Sequence, residues 1–242
     1  MKQKITKIIH SCKQMSLTTP QAIVLASIII SLGLMGYGAI TGGGTKAPLQ
    51  MFAGSMITEN DYVFGKKNSD VIVIEYSDTE CPYCISLHPT IKQVQETYKD
   101  KIAYVYRHFP LTQIHPNAFD EARAISCAGK VGGDVGYYSF ANNLFDYKFN
   151  NKTTQLPANN NVNAVATKTG LDAKAFSDCM TSQETAPIVN MHQQDGAVAG
   201  VQGTPATFIL SKTRKGYEIV AAIDGAQPQP IFMAAIEEAL NR

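Results

Sequence analysis

A β-branched apolar run, Val71-Ile-Val-Ile-Glu-Tyr76, leads through the polar turn Ser77 to Glu80 into Cys81-Pro82-Tyr83-Cys84. The run has the composition of a buried central strand. Beyond the cysteines, Leu87, Ile91, Val94 and Tyr98 recur at helical spacing, so the motif opens a helix with one apolar face. Pro82 takes a first-turn position, where its missing N–H costs nothing. Pro89 lies inside the same helix, where it removes a hydrogen bond and predicts a kink. Cys81 is thus placed at a helix N-terminus, where unpaired N–H groups and the positive end of the helix dipole favour a thiolate. Cys84, one turn inside, is the shielded partner thiol.

The chain has five cysteines, at positions 12, 81, 84, 127 and 179. A bridge between Cys81 and Cys84 closes too small a loop to staple a fold, which favours a redox pair over a structural one. Zinc would need two further ligands; there is no second CxxC, and His88 alone does not complete a tetrahedral site. No metal or cofactor is expected. Cys127 and Cys179 leave three readings open: a structural disulfide, two buried small hydrophobes, or a second redox relay. The even count left after the redox pair favours the disulfide, which across that loop would stabilise by roughly 3 to 4 kcal/mol.

Charge is distributed unevenly. Lys2, Lys4, Lys7 and Lys13 precede a stretch without any charged residue up to Lys46, while the whole chain balances at +1. Nucleic acid is therefore not an expected partner. Residues 21–40 would span about 30 Å as a helix, enough for the hydrocarbon core of a bilayer. The lysines before them predict a cytoplasmic N-terminus and a remainder outside the cytoplasm. A cleaved signal peptide is the rival, with Ala39 near a permissible cleavage site. This divides the chain into a basic segment (1–20), an anchor (21–40), a linker (41–58) and a folded domain (59–242). Cys12 would lie in a reducing compartment and the other four in an oxidising one.

Within the domain, a second β run follows at Ile102 to Phe109. Residues 116–200 are too many for a crossover loop and carry helical patterns at Ala118 to Lys130, Tyr137 to Tyr147, Val162 to Thr169, Ala173 to Thr181 and Ala186 to Ala199. Lys148 to Asn163 reads as an Asn-rich connection, and its Asn151-Lys-Thr sequon matters only in a eukaryotic secretory compartment. Then come Gly203-Thr-Pro-Ala206, strands at Thr207 to Leu210 and Tyr217 to Ile223, and a last helix carrying Phe232, Ile236, Ala239 and Leu240. A strand, a CxxC helix and a Thr-Pro before the final strands resemble the thioredoxin superfamily. The inserted helices, with Tyr106-Arg-His-Phe-Pro-Leu111 and His115-Pro, resemble its DsbA-like disulfide oxidoreductases over roughly residues 60–242.

The resemblance implies an α/β thioredoxin-like fold with an inserted α-helical domain, preceded here by one transmembrane helix. It implies that Pro205 is cis and packs beside the redox pair, with Thr204 as the variable residue before it. It also implies that Glu75 is the family's buried acid, which helps proton movement at the resolving cysteine; the lesser alternative is an exposed carboxylate on an edge strand. The chain departs from the family's strongly oxidising members, which carry Pro-His where this one has Pro82-Tyr83. Tyr83 supplies no positive charge, and Glu80 beside Cys81 is expected to oppose the thiolate.

The expected activity is thiol-disulfide exchange outside the cytoplasm, in the oxidising direction, on unfolded cysteine-containing exported polypeptides, with a membrane redox partner that restores the disulfide. The same residues would serve an isomerase or reductase. Readings from other classes are a non-catalytic client-binding tether and a metal carrier using Cys81, Cys84 and His88. His88, His108, His115 and His192 read individually as packed or surface residues, with His108 and His115 shaping the rim of the site. The last residues, Leu240-Asn-Arg242, carry no ER-retention signal, which favours a bacterial cell envelope.

Overall fold

The computed structural model describes residues 51 to 242. The basic segment, the expected span 21–40, Cys12 and most of the linker lie outside the described residues. Among the described residues, no helix is long and apolar enough to cross a membrane.

Five strands form one mixed sheet: β1 (Val63–Gly65), β2 (Val71–Ser77), β3 (Ala103–His108), β4 (Ala206–Thr213) and β5 (Gly216–Asp224), in the order β1-β3-β2-β4-β5. β2 and β3 are parallel and joined by α1 (Pro82–Tyr98), whereas every other pairing is antiparallel. β2 is the central strand, and Glu75 on it lies in register with Tyr106 of β3 and Thr207 of β4. Successive side chains alternate faces. Val71 and Val73 join the core beneath α1, whereas Ile72, Ile74 and Tyr76 join Phe109, Phe208 and Leu210 on the other face. β1 has no counterpart in the sequence reading, because three residues carry no periodic signal.

The apolar stripe Leu87, Ile91, Val94 and Tyr98 is buried as its spacing requires. Burying each such aliphatic side chain contributes roughly 1.5 to 3 kcal/mol relative to leaving it in water. α1 runs unbroken through Pro89 to Tyr98.

Between β3 and β4 lie α2 (Ala118–Asn151), α3 (Val162–Lys168), α4 (Ala173–Ser182) and α5 (Ala186–Val198); α6 (Gln229–Leu240) follows β5. The two helices expected at Ala118 and Tyr137 are halves of α2, broken at Gly133, whose φ of 61° and ψ of −155° suit only glycine. α2 also extends past Tyr147, so the expected loop starts later, and Lys148 sits buried in the last helical turn. Cys127 of α2 and Cys179 of α4 form a disulfide with Cα atoms 5.8 Å apart. α5 lies so close to the sheet that a Cβ at Gly196 would meet the Phe109 ring at 2.7 Å.

Candidate active site

Cys81 caps α1 in an extended conformation (φ −70°, ψ 121°), with Pro82 in the first turn. The turn before it is held by Asp78. Its Oδ1 accepts from the backbone N–H of Glu80 at 2.7 Å and of Cys81 at 3.2 Å. Its Oδ2 accepts from the N–H of Leu111 at 2.7 Å and contacts His115 Nδ1 at 2.8 Å. Sequence reasoning passed over Asp78, although an Asp followed at two and three residues by the bonded amides is the pattern of an Asx turn. His115 does stand at this rim. His108 does not: it is buried under α2, with Nε2 2.9 Å from Ser126 Oγ and 3.1 Å from the Tyr137 hydroxyl.

Glu80, next to Cys81 in the chain, turns its carboxylate to Asn117, accepting from the backbone N–H at 2.7 Å and from the side-chain amide at 2.8 Å. Beneath the turn, Lys148 Nζ donates to Glu121 Oε2 at 2.5 Å and to the Thr79 carbonyl at 3.1 Å.

Across from Cys81, the Thr204-Pro205 bond is cis, Pro205 is buried, and the Thr204 carbonyl accepts from Cys81 Sγ at 3.3 Å. The Cys81 thiol is held well below the ordinary value, first by the Cys84 thiol donating to its sulfur. The Thr204 hydroxyl and the amides of Cys84 and Tyr83 add to this, against the opposing effect of burial. Cys84 moves the opposite way: burial and the adjacent Cys81 push its thiol up, although the Asp78 N–H donates to its sulfur at 3.4 Å. One sulfur is therefore primed as a nucleophile and leaving group while its neighbour keeps its proton. The Tyr83 side chain is 65% exposed.

Glu75 is buried on the central strand, not exposed on an edge. Its Oε2 accepts from the Tyr104 hydroxyl at 2.7 Å. Burial drives its carboxyl up, against the hydroxyls of Tyr104 and Ser77 and the nearby His88. His88 stacks on Phe145 and lies 3.5 Å from Asp146. Among the described residues, no cluster of three or more His, Cys, Asp or Glu side chains has the arrangement of a metal site.

A second buried network went unrecognised in the sequence. Arg107 grips both oxygens of Asp61 at 2.9 and 2.8 Å and Asp195 Oδ2 at 2.6 Å, and donates to the Ser55 and Met56 carbonyls. Burial alone would raise the Asp61 carboxyl, but hydrogen bonds from Arg107 and His192 hold it far below its usual range. This network fastens the segment before β1 to the sheet face opposite Glu75.

A family model described as thioredoxin matches residues 57–224. The Na(+)/H(+) antiporter NhaA 1 of Mycolicibacterium vanbaalenii is 29% identical over 160 residues, covering 65% of this chain and 24% of that protein. The chain thus spans about a quarter of the length of the first curated relatives it matches. A Rickettsia prowazekii protein named as a protein-disulfide oxidoreductase is 28% identical over 168 residues, covering 67% of this chain and 59% of its own. Among solved structures, Wolbachia pipientis alpha-DsbA1 superposes with a TM-score of 0.64 at 21% identity, covering 77% of this chain and 94% of that one. The chain belongs to the thioredoxin family and has the fold of the DsbA-type thiol-disulfide oxidoreductases.

Proposed function

We propose that this protein is a membrane-tethered thiol-disulfide oxidoreductase that works outside the cytoplasm and introduces disulfides into exported polypeptides through Cys81 and Cys84. The observation that carries the reading is the placing of the two sulfurs: Cys81 at the N-terminus of α1 against the cis Thr204-Pro205 bond, and Cys84 buried one turn inside, which holds the Cys81 thiol down and pushes the Cys84 thiol up. A stabilised Cys81 thiolate favours the reduced pair, which makes the disulfide form the stronger oxidant. A substrate thiolate attacks Cys81, forming a mixed disulfide, and Cys84 departs with the bonding electrons and takes a proton. A second substrate thiolate then attacks the substrate sulfur and releases Cys81 as a thiolate. The substrate is oxidised by two electrons and the pair reduced by two.

Thr204 and Pro205 offer the backbone edge against which an extended client segment would lie. Residues 21–40 would hold the domain near a membrane redox partner that removes the two electrons, raising its effective concentration. Isomerase or reductase action is the second reading, favoured by Tyr83 standing where the strongly oxidising members carry histidine. The test mixes oxidised full-length protein with a reduced, unfolded two-cysteine polypeptide. Disulfide transfer that is lost in both Cys81→Ser and Cys84→Ser, with Cys84→Ser instead trapped as a mixed disulfide when its Cys81 attacks the disulfide-bonded form of the same polypeptide, supports the proposal. No transfer by the wild type, with client binding undiminished in Cys81→Ser, points instead to a non-catalytic client-binding tether and overturns it.

A further inference from the structure

Behind Cys84 lies a cavity of about 10 Å³, at the lower bound for a single water molecule, walled by Glu75, Cys84, His88, Tyr104 and Tyr106. In the wall of this cavity, the buried Tyr106 Oη lacks a hydrogen-bond partner. Buried polar groups are rarely left unsatisfied, and a polar space of this size suits a bridging water. His88 walls the cavity while its Nε2 lies 3.5 Å from Oδ1 of Asp146, a side chain that is 40% exposed and whose Oδ2 receives Lys92 Nζ at 2.7 Å. The imidazole is thus the element between the enclosed acid and the surface.

Resting on the redox reading of Cys81 and Cys84, we infer that His88 acts through Glu75 as the positioning residue for the proton that Cys84 gains and loses, linking the cavity water to solvent beside Asp146. When the Cys81–Cys84 bond breaks, the Cys84 sulfur keeps the electron pair and takes the proton of the Glu75 carboxyl. The carboxylate regains it through the water and His88, which takes one from solvent. In the reverse direction each transfer runs backwards, so protons balance without any further reactant.

The titratable groups facing Glu75 are Cys84 and His88 from α1, Tyr104 and Tyr106 from β3, and Tyr138 from α2. Among these side chains the imidazole is the one that can accept a proton on one ring nitrogen while giving one up from the other. Burial raises the Glu75 carboxyl, so it retains a proton to give, and His88 first, then Lys92, holds Asp146 down to about 2 as a fixed anion for an imidazolium.

The experiment follows reduction of the oxidised full-length protein by dithiothreitol in a stopped-flow instrument across pH, alongside its equilibrium reduction potential. His88→Phe keeps the stacking on Phe145 and removes the exchangeable proton. It is expected to slow reduction roughly tenfold, below the span for a positioned acid-base group, to flatten the pH profile near neutrality, and to leave the potential unchanged. Asp146→Asn, on the exposed side, is expected to flatten the same limb with a smaller loss. A wild-type rate and pH profile in both variants overturns the inference, as does a loss that tracks a changed potential. If His88→Phe does not fold, an unaltered profile in Asp146→Asn is sufficient to overturn it. Exchange that persists in Cys81→Ser would instead refute the underlying redox reading.

Discussion

The Lys148 ammonium donates to the Thr79 carbonyl at 3.1 Å, which ties the last turn of α2 to the turn two residues before Cys81. The same ammonium pairs with Glu121 at 2.5 Å, and both side chains are buried. Burial pulls Lys148 down and Glu121 up, and each is opposed by the partner's charge. Lys148→Met leaves the Glu121 charge uncompensated and is expected to cost about 3 to 5 kcal/mol in chemical denaturation. Lys148→Met with Glu121→Leu should recover most of that loss. A single variant as stable as the parent would contradict the assignment.

Arg107 presents a parallel case on the opposite sheet face. Removing it by Arg107→Met strands the fully buried Asp61 carboxylate and leaves the Ser55 and Met56 carbonyls without their donor. The expected loss of stability is again about 3 to 5 kcal/mol. Because Glu75 and Cys84 lie across the sheet, the ultraviolet absorbance of the Cys81 thiolate at neutral pH should be unchanged in whatever fraction remains folded. A variant that loses the thiolate signal while remaining folded would show that the two faces are coupled.

His108 supplies a pH dependence. Burial first, and then the neighbouring His192, push its imidazole well below the ordinary histidine value. The unfolded chain therefore binds a proton below about pH 6.5 that the folded protein refuses. Its contribution is complete above that pH and is lost as pH falls, with a slope of up to about 1.4 kcal/mol per unit. Glu75, whose carboxyl is raised, contributes in the opposite sense: stability present in acid and lost as pH rises through its folded value. Denaturation midpoints measured in steps below neutrality should show the decline, and His108→Leu should flatten it whatever its absolute stability. A slope unchanged by that substitution would contradict the assignment.

Local patterns made much of this molecule legible. The apolar run and the helical stripe placed β2 and α1 because each signal fits within about three turns or one strand. Cys81 and Pro82 fall where capping rules put them, and the helices between β3 and β4 follow their own periodicity. What escaped the sequence was the set of long-range polar pairs. Lys148 looked like part of an Asn-rich connection because nothing in its neighbourhood predicts a carboxylate 27 residues away. Arg107 sat inside a stretch valued only for its resemblance, and its partners Asp61 and Asp195 lie 46 and 88 residues distant. The partner of Glu80 escaped for the same reason, since its carboxylate turns to Asn117, 37 residues away.

The Cys127 to Cys179 bridge joins α2 to α4 away from the redox pair and closes a loop across a separation of 52 residues. Replacing both by alanine should lower stability by roughly 3 to 4 kcal/mol while exchange through Cys81 continues at its usual rate. Thermal and chemical unfolding, with a single-turnover exchange assay, read the two effects separately. A collapse of exchange in a folded double variant would make the second pair a relay.

The central claim is that the environment of Cys81 favours the reduced pair and so makes the disulfide an electron acceptor. Its most direct test is the reduction potential of Cys81 and Cys84 in the full-length protein, equilibrated against glutathione buffers. The account predicts a value towards the strongly oxidising end, near about −120 mV; one near about −270 mV, the range of a thioredoxin reductant, would contradict it.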